Sequence, residues 1–336
     1  MRLFKTIITV IFVSLFAVCI HAQEAGVDDL SAYYGFEEIE IIKLDWGIKD
    51  VQIADFNGDG RNDIAIANNR KARIELLLQK ESIGPGETEI AVDPTDVDVN
   101  AIVVPSRFDR ESIAVSQKLY SLKCGDLNAD GLVDIAFYGE PRGLYIILQK
   151  AEAGKRESLS WQTRKKIQIN DGLLTSNALA CADLNHDGAN DIALAGRDAV
   201  YIIVQKKDGL LAEPEKYPSS AQTLGVEIGD LNGDGINDLI LVTNDSEKPL
   251  HVRFGLKTGK FGPLLRFFIE RPSALMLHAT DEKKGDEILA VDSVSGRLIC
   301  YKLSIEDRQG ADWPILFYPL TSGQDATKRD LAMGDF

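Results

Sequence analysis

Four short stretches of the sequence place oxygen-bearing side chains at alternate positions. They read DFNGDGRNDIAIA (55–67), DLNADGLVDIAFY (126–138), DLNHDGANDIALA (183–195) and DLNGDGINDLILV (230–242). Counted from the first Asp, each carries Asp, Asn, Asp and Asp at positions 1, 3, 5 and 9, with Gly at position 6. Hard cations such as Ca²⁺ bind about 6 to 8 oxygens, and a tight loop of this kind can wrap one ion. These residues therefore predict calcium binding.

The predicted ligands are the side chains at positions 1, 3, 5 and 9 and the backbone carbonyl at position 7, where the residue type varies freely. In the first two loops they are Asp55, Asn57, Asp59, Arg61 and Asp63, then Asp126, Asn128, Asp130, Leu132 and Asp134. In the last two they are Asp183, Asn185, Asp187, Ala189 and Asp191, then Asp230, Asn232, Asp234, Ile236 and Asp238. We expect about four structural Ca²⁺ ions, one in each loop.

Two alternatives bear on this interpretation. An EF-hand loop would close with a bidentate Glu at position 12 and continue into a helix. Here position 12 is Ile66, Phe137, Leu194 or Leu241, and an apolar run of strand length follows position 9. A single copy would also be compatible with a metal-free Asn/Asp/Gly turn, but four copies with the same oxygens favour ion binding.

The loops recur along the chain and so define a repeat. They start at residues 55, 126, 183 and 230. Each is preceded by a short strand pattern, and a second strand follows, as in RIELLLQK (73–80) and GLYIILQK (143–150). A further candidate strand comes before the next copy, as in KKIQI (165–169) and LLRFFI (264–269). About 40 to 50 residues holding four short strands predict an all-β fold, a β-propeller of four-stranded blades.

The C-terminal part of the chain predicts a decayed fifth unit and the start of a sixth. In DEKKGDEILAVD (281–292), Asp281 matches position 1 and Asp286 matches position 9, but lysines stand where ligands should be, so we expect no ion there. In LAMGDF (331–336), Asp335 is in register as position 1 of another loop. We therefore expect about five complete blades here and roughly six or seven in a longer, intact protein.

These motifs resemble the FG-GAP or VCBS repeat family, whose β-propeller repeats also form integrin α-chain heads. The resemblance covers roughly residues 36–336, and its specific part is the Asp-x-Asn-x-Asp-Gly-x-x-Asp loop followed by an aliphatic strand. It implies that calcium sits in a loop between adjacent strands of one blade. It also implies that the assembled ring serves adhesion or recognition.

The N-terminus has Arg2 and Lys5 followed by an apolar run and Ala22, the pattern of a cleaved export signal. We expect residues 1–22 to be a signal peptide, 23–35 a short linker and 36–336 the propeller, apparently truncated at its C-terminus. No membrane span would remain after cleavage, and the protein would be extracellular, at the cell surface or periplasmic. The alternatives are a lipoprotein modified at Cys19 and an uncleaved membrane anchor.

Composition and motifs limit the function. The net charge is −15, and no basic stripe exists to bind phosphate, so we expect no nucleic-acid partner. Nucleophile elbows, zinc-protease and Cys-x-x-Cys motifs are absent from the sequence. We expect a non-enzymatic binding or adhesion module for an extracellular protein or glycan, with residues 80–112 as a candidate recognition insertion. The alternative is a calcium-dependent polysaccharide lyase built on a propeller.

Overall fold

The computed structural model describes residues 44, 46–81, 107–150, 159–163, 166–206, 209–278, 285–303 and 315–318. All of them belong to the second of two units in the chain, Lys43–Phe336. Within these ranges the chain forms five antiparallel sheets of four strands, each ordered as in the sequence. The predicted all-β fold and four-stranded propeller blades are confirmed, and the described chain holds five blades.

The strands of each blade follow one another directly in the chain. Blade 1 contains β1 (Ile48–Ala54), β2 (Asp63–Asn68), β3 (Arg73–Gln79) and β4 (Phe108–Ala114). Blade 2 contains β5 (Lys118–Gly125), β6 (Asp134–Glu140), β7 (Gly143–Lys150) and β8 (Ser160–Thr163). Blade 3 contains β9 (Leu179–Ala182), β10 (Asp191–Ala195), β11 (Ala199–Ile203) and β12 (Glu215–Pro218), preceded by a 3₁₀ turn at Ser176–Ala178.

The last two blades repeat this arrangement. Blade 4 contains β13 (Thr223–Gly229), β14 (Asp238–Thr243), β15 (Leu250–Arg253) and β16 (Leu265–Phe267). Blade 5 contains β17 (Pro272–His278), β18 (Glu287–Asp292), β19 (Leu298–Tyr301) and β20 (Ile315–Tyr318). The first strands of consecutive blades pack side by side: β1 beside β5, β5 beside β9, β9 beside β13 and β13 beside β17.

The middle strands are apolar on both faces because each inner sheet is covered by a blade on either side. Successive side chains of a strand point to opposite faces. In β6, Ile135 and Phe137 accordingly join the cluster shared with blade 1, whereas Ala136 and Tyr138 join the cluster shared with blade 3. Similar clusters lie between blades 3 and 4 and between blades 4 and 5. This two-sided burial explains why the runs after the loops are nearly continuous in apolar residues.

Two predicted features of the outer strands were wrong. Within the predicted stretch 165–169, the described residues 166–169 do not form the fourth strand of blade 2. That strand is Ser160–Thr163, and Ile167 makes an isolated bridge to Leu144. The candidate insertion 80–112 also extends less far than expected, because Phe108–Ala114 is the fourth strand of blade 1. Neither outer strand has a strong apolar pattern, so their bounds could not be predicted from the residues.

Several predictions fall on residues outside the described ranges. They include the signal peptide and linker, most of the candidate insertion, Asp281 and the loop start at Asp335. Within the described ranges, none of the helical turns is long and apolar enough to span a bilayer.

Polar side chains also join neighbouring blades. The amide of Asn69 donates from Nδ2 to the carbonyl of Leu119 at 2.8 Å, and its Oδ1 accepts from the N–H of Leu119 at 2.7 Å. Asn69 thus continues the backbone pairing of blade 2 from the β2–β3 hairpin of blade 1. Similarly, the Asp50 carboxylate accepts from the N–H of Leu122 at 2.8 Å.

We predict that Asn69→Ala destabilises the protein by about 1–3 kcal/mol, because both backbone groups of the buried Leu119 lose their partner. Asn62→Ala is the matched control, since residue 62 is exposed and lies in a loop of the same blade. The measurement is urea unfolding followed by far-UV circular dichroism. Equal midpoints for the two variants would show that the Asn69 link contributes nothing.

Candidate metal-binding loops

The four predicted loops occupy the same place in four successive blades. Each connects the first strand to the second: 55–62 joins β1 to β2, 126–133 joins β5 to β6, 183–190 joins β9 to β10, and 230–237 joins β13 to β14. The loops therefore lie at equivalent ends of the sheets. All twenty predicted ligand residues fall within a loop or on the first residue of the strand that follows it.

The carboxylate at position 1 organises the turn of each loop. In the first loop, Asp55 Oδ1 accepts from the N–H of Asp59 at 3.0 Å and Oδ2 accepts from the N–H of Gly60 at 2.8 Å. Asp126, Asp183 and Asp230 accept the equivalent pair of N–H groups, at 2.7–3.2 Å. The loop is therefore folded around its first carboxylate by its own backbone.

Two positions in each loop have left-handed backbone. The Gly at position 6 has φ between +79° and +87° in all four copies, and a Cβ there would meet nothing within 4 Å, so conformation rather than space selects Gly. Position 4 is also left-handed, with Ala129 at φ +60° and His186 at φ +61° in loops 2 and 3. Non-Gly residues adopt this region uncommonly. The sequence pattern gave no indication of the second constraint.

Positions 3 and 5 are linked by the same hydrogen bonds in every loop. The Asn amide oxygen at position 3 accepts from the N–H of position 5 at 2.9–3.0 Å. The Asp at position 5 accepts from the N–H of position 7 at 2.9–3.0 Å. These bonds tie the side chains of positions 3 and 5 to the backbone of the same turn that position 1 organises.

The Asp at position 9 differs from the others because it is completely buried in all four copies. One of its oxygens accepts from the N–H of position 2 at 2.9–3.1 Å. The other accepts from a backbone N–H within two residues of the end of the third strand, at 2.7–2.9 Å. Position 9 therefore joins the loop to the third strand, a structural role that sequence reasoning missed because its partners are backbone groups.

Burial also changes the acidity of position 9. Loss of hydration, followed by the nearby carboxylates of positions 1 and 5, raises the pKa of Asp134 to about 7 and those of Asp191 and Asp238 to about 6, although backbone N–H donors oppose the shift. Burial likewise raises the pKa of Asp63. Four similar sites thus concentrate negative charge around a buried carboxyl group.

Position 7 distinguishes the first loop from the other three. The guanidinium of Arg61 donates to Asp59 Oδ2 at 2.6 Å and to the carbonyl of Gln79 at 3.2 Å. A positive charge therefore already faces the position 5 carboxylate in this loop. Leu132, Ala189 and Ile236 bring no charge to the corresponding place.

The types of oxygen atom in the loops fit a hard cation, although the described acidic side chains do not converge on a single point. Within the described residues, no three Asp, Glu, His or Cys side chains form a group that could hold a metal ion. The loop oxygens instead face backbone N–H donors. A carboxylate has about four acceptor sites, so the same oxygens can accept an N–H and still bind an ion. Carboxylate, amide and carbonyl oxygens are the ligands that Ca²⁺ prefers.

Each of loops 2 to 4 also touches the blade that follows it. A Cβ on Gly209 of blade 3 would lie 2.9 Å from the carbonyl oxygen of Asn128, and one on Gly259 of blade 4 would lie 3.0 Å from Cβ of Asn185. The turns around these two glycines therefore pack directly on the loop of the preceding blade. The loops lie at the boundaries between blades.

The fifth unit needs a correction at the residue matched to position 9. In blade 4 the position 9 residue, Asp238, pairs with Gly229, and the corresponding pair in blade 5 is Glu287 with His278. Glu287 rather than Asp286 therefore occupies the place of position 9. The carboxylate of Asp286 accepts from the N–H of Asp230 at 2.8 Å, so it supports the fourth loop instead.

Comparison with known proteins agrees with this architecture. Residues 183–241 match the model of the FG-GAP-like repeat. This segment runs from position 1 of the third loop through the fourth loop and most of β14. No curated protein sequence matches the chain.

Among solved structures, the chain is similar to a mutant form of the Photorhabdus luminescens Tc holotoxin pore, with 19% identity and a TM-score of 0.40. The match covers 81% of this chain but only 12% of the other. A TM-score of 0.40 is too low to support any conclusion about ligand or activity. The predicted resemblance to FG-GAP repeats is confirmed for residues 183–241, which match the FG-GAP-like repeat and lie within a β-propeller.

Proposed function

We propose that the protein is an exported, calcium-stabilised propeller that binds an extracellular protein or glycan without transforming it. The observation that carries the proposal is the fourfold identity of the loops. Each has the same oxygen side chains, and the backbone hydrogen bonds that fold the loop around positions 1 and 9 are the same in all four. Neutral backbone N–H groups do not offset the three carboxylates that each loop brings together, whereas a divalent cation would.

The residues that would hold the ions are positions 1, 3, 5 and 9 and the carbonyl of position 7 in each loop. When bound, Ca²⁺ would supply positive charge to a cluster that is otherwise acidic. Twelve Asp residues of the four loops contribute to the net charge of −15, and four divalent ions would offset eight of those charges. The protein's own residues keep the loops folded and fix them to the sheets.

The structural role of the loop Asp residues favours binding rather than catalysis as the function of the protein. The position 9 carboxylate is completely buried, so a substrate in solution would not reach it. Loop oxygens that surround a cation would form an all-protein site of the structural kind. Export is inferred from the N-terminal sequence, and it would place the protein where calcium is plentiful.

Calcium removal is the first test of the proposal. Ligand at about 100 times its Kd stabilises the native state by roughly 2.7 kcal/mol for each independent site. Excess EDTA should therefore lower the melting temperature clearly, and added Ca²⁺ should restore it. The measurement is differential scanning fluorimetry. A melting curve that EDTA leaves unchanged would contradict calcium binding by the loops.

A substitution in one loop should remove one ion. Asp234→Ala deletes the position 5 ligand of the fourth loop, and the protein should then bind about three ions instead of about four. Asp109→Ala is the matched control, because it removes an exposed carboxylate whose partner is Lys80, outside any loop. Bound calcium is measured by equilibrium dialysis and atomic emission. The same stoichiometry in both variants would rule out the fourth loop as a site.

The non-enzymatic part of the proposal has its own test. Lyases that cleave uronic acid polymers leave an unsaturated sugar that absorbs in the ultraviolet. Incubation of the calcium-saturated protein with pectic and other acidic polysaccharides should produce no increase in that absorbance. A steady increase that depends on protein concentration would favour the polysaccharide lyase and reject the binding module.

A further inference from the structure

A polar cleft lies between blades 2 and 3, at the ends of the sheets that carry the hairpins between second and third strands. Its volume is about 460 Å³, within the usual range for ligand pockets. The β6–β7 hairpin contributes Arg142, and the β10–β11 hairpin contributes Arg197 and Asp198. The connection between the two blades, residues 170–174, forms its floor. None of these residues belongs to the loops described above.

The cleft is held rigid by hydrogen bonds to its floor. Nη1 of Arg142 donates to the carbonyls of Asn170 at 2.9 Å and Gly172 at 2.8 Å. The N–H of Arg197 donates to the intervening carbonyl of Asp171 at 3.1 Å. Three successive carbonyls are thus bound by the two hairpins, so both walls are fixed relative to the floor. A preorganised site of this kind loses little entropy when a ligand binds.

The charges in the cleft leave one guanidinium without a partner. The Asp171 carboxylate accepts from the hydroxyl of Tyr201 at 2.7 and 2.8 Å and lies 3.9 Å from Nζ of Lys216. The Asp198 carboxylate also interacts with Lys216. Among the described residues, no side chain makes a hydrogen bond or ion pair with the exposed guanidinium of Arg197. An anionic ligand would complete this arrangement.

The polar groups that line the cleft indicate which chemical class of ligand it would bind. Guanidinium groups bind carboxylates through two parallel hydrogen bonds. Beside Arg197, the cleft offers the amides of Asn170 and Gln222, which both donate and accept, and only Leu173 and Leu174 are apolar. Protein partners usually anchor on buried aromatic or apolar contacts. This cleft offers few such contacts, and its amides and carboxylates match hydroxyl groups.

We propose that this cleft binds a uronic-acid-containing oligosaccharide, with the sugar carboxylate on Arg197 and sugar hydroxyls on Asn170, Gln222 and Asp198. Arg142 acts as the fixed wall that shapes the site. The inference narrows the proposed function and rests on it for the claim that the ligand is bound without being cleaved.

The test is isothermal titration of the calcium-saturated full chain with trigalacturonate, with a neutral trisaccharide and a buffer titration at the same calcium concentration as controls. We expect binding of trigalacturonate only. Arg197→Ala should weaken it by about tenfold or more, the loss of a charge-assisted bidentate contact. Arg197→Lys keeps the charge without the planar fork and should give a smaller loss. Arg70→Ala, in the equivalent hairpin of blade 1, should leave affinity unchanged.

Other outcomes would overturn the inference. Equal binding by the Arg197→Ala and wild-type proteins would reject the cleft as the binding site. The absence of binding while all variants melt normally would do the same. Both results leave the proposed function intact. Arg197-dependent binding of a peptide with a free C-terminal carboxylate, without binding of the saccharide, replaces the glycan by a protein ligand. Cleavage of the trisaccharide would reject the proposed function itself. Whether the saccharide binds in the cleft would still be decided by the affinities of the Arg197 variants.

Discussion

The buried carboxylate at position 9 is the interaction on which the repeated architecture depends. Its two oxygens accept backbone N–H groups from two different parts of a blade, the start of the loop and the end of the third strand. A carboxylate without such partners would be very costly to bury. Because both oxygens are satisfied, the residue fixes the loop relative to the sheet, and the apolar strand that begins with it can pack against both neighbouring blades.

The same arrangement concentrates charge where blades meet. The carboxylates at positions 1 and 5 lie near the buried one and contribute to raising its pKa. Their loops are packed against turns of the following blade, as at Gly209 and Asn128. A cation in the loop would therefore act on the contact between blades as well as on the loop. The proposed calcium would therefore stabilise the contacts between blades, because the loops lie at those boundaries.

Sequence reasoning found the features that side-chain type controls. The loops, the strands after them and the four-stranded repeat followed from oxygen spacing and from apolar runs such as those of β6 and β14. It could not find features that depend on backbone partners: the contact of Asp63 with the N–H of Gln79, the left-handed residue at position 4, and the link from Asn69 to Leu119. Outer strands such as Ser160–Thr163 were misplaced because their sequences lack a strong apolar pattern. The cleft beside Arg197 also escaped notice, since it joins two hairpins and a connection that share no motif.

The most direct test of the account is a crystal structure of the full chain grown in calcium, with anomalous difference density collected at a long wavelength. We expect a peak in each of the four loops, surrounded by the oxygens of positions 1, 3, 5, 7 and 9, with the position 9 carboxylate still bound to the third strand. Loops that retain only their backbone hydrogen bonds, without anomalous density at saturating calcium, would contradict it.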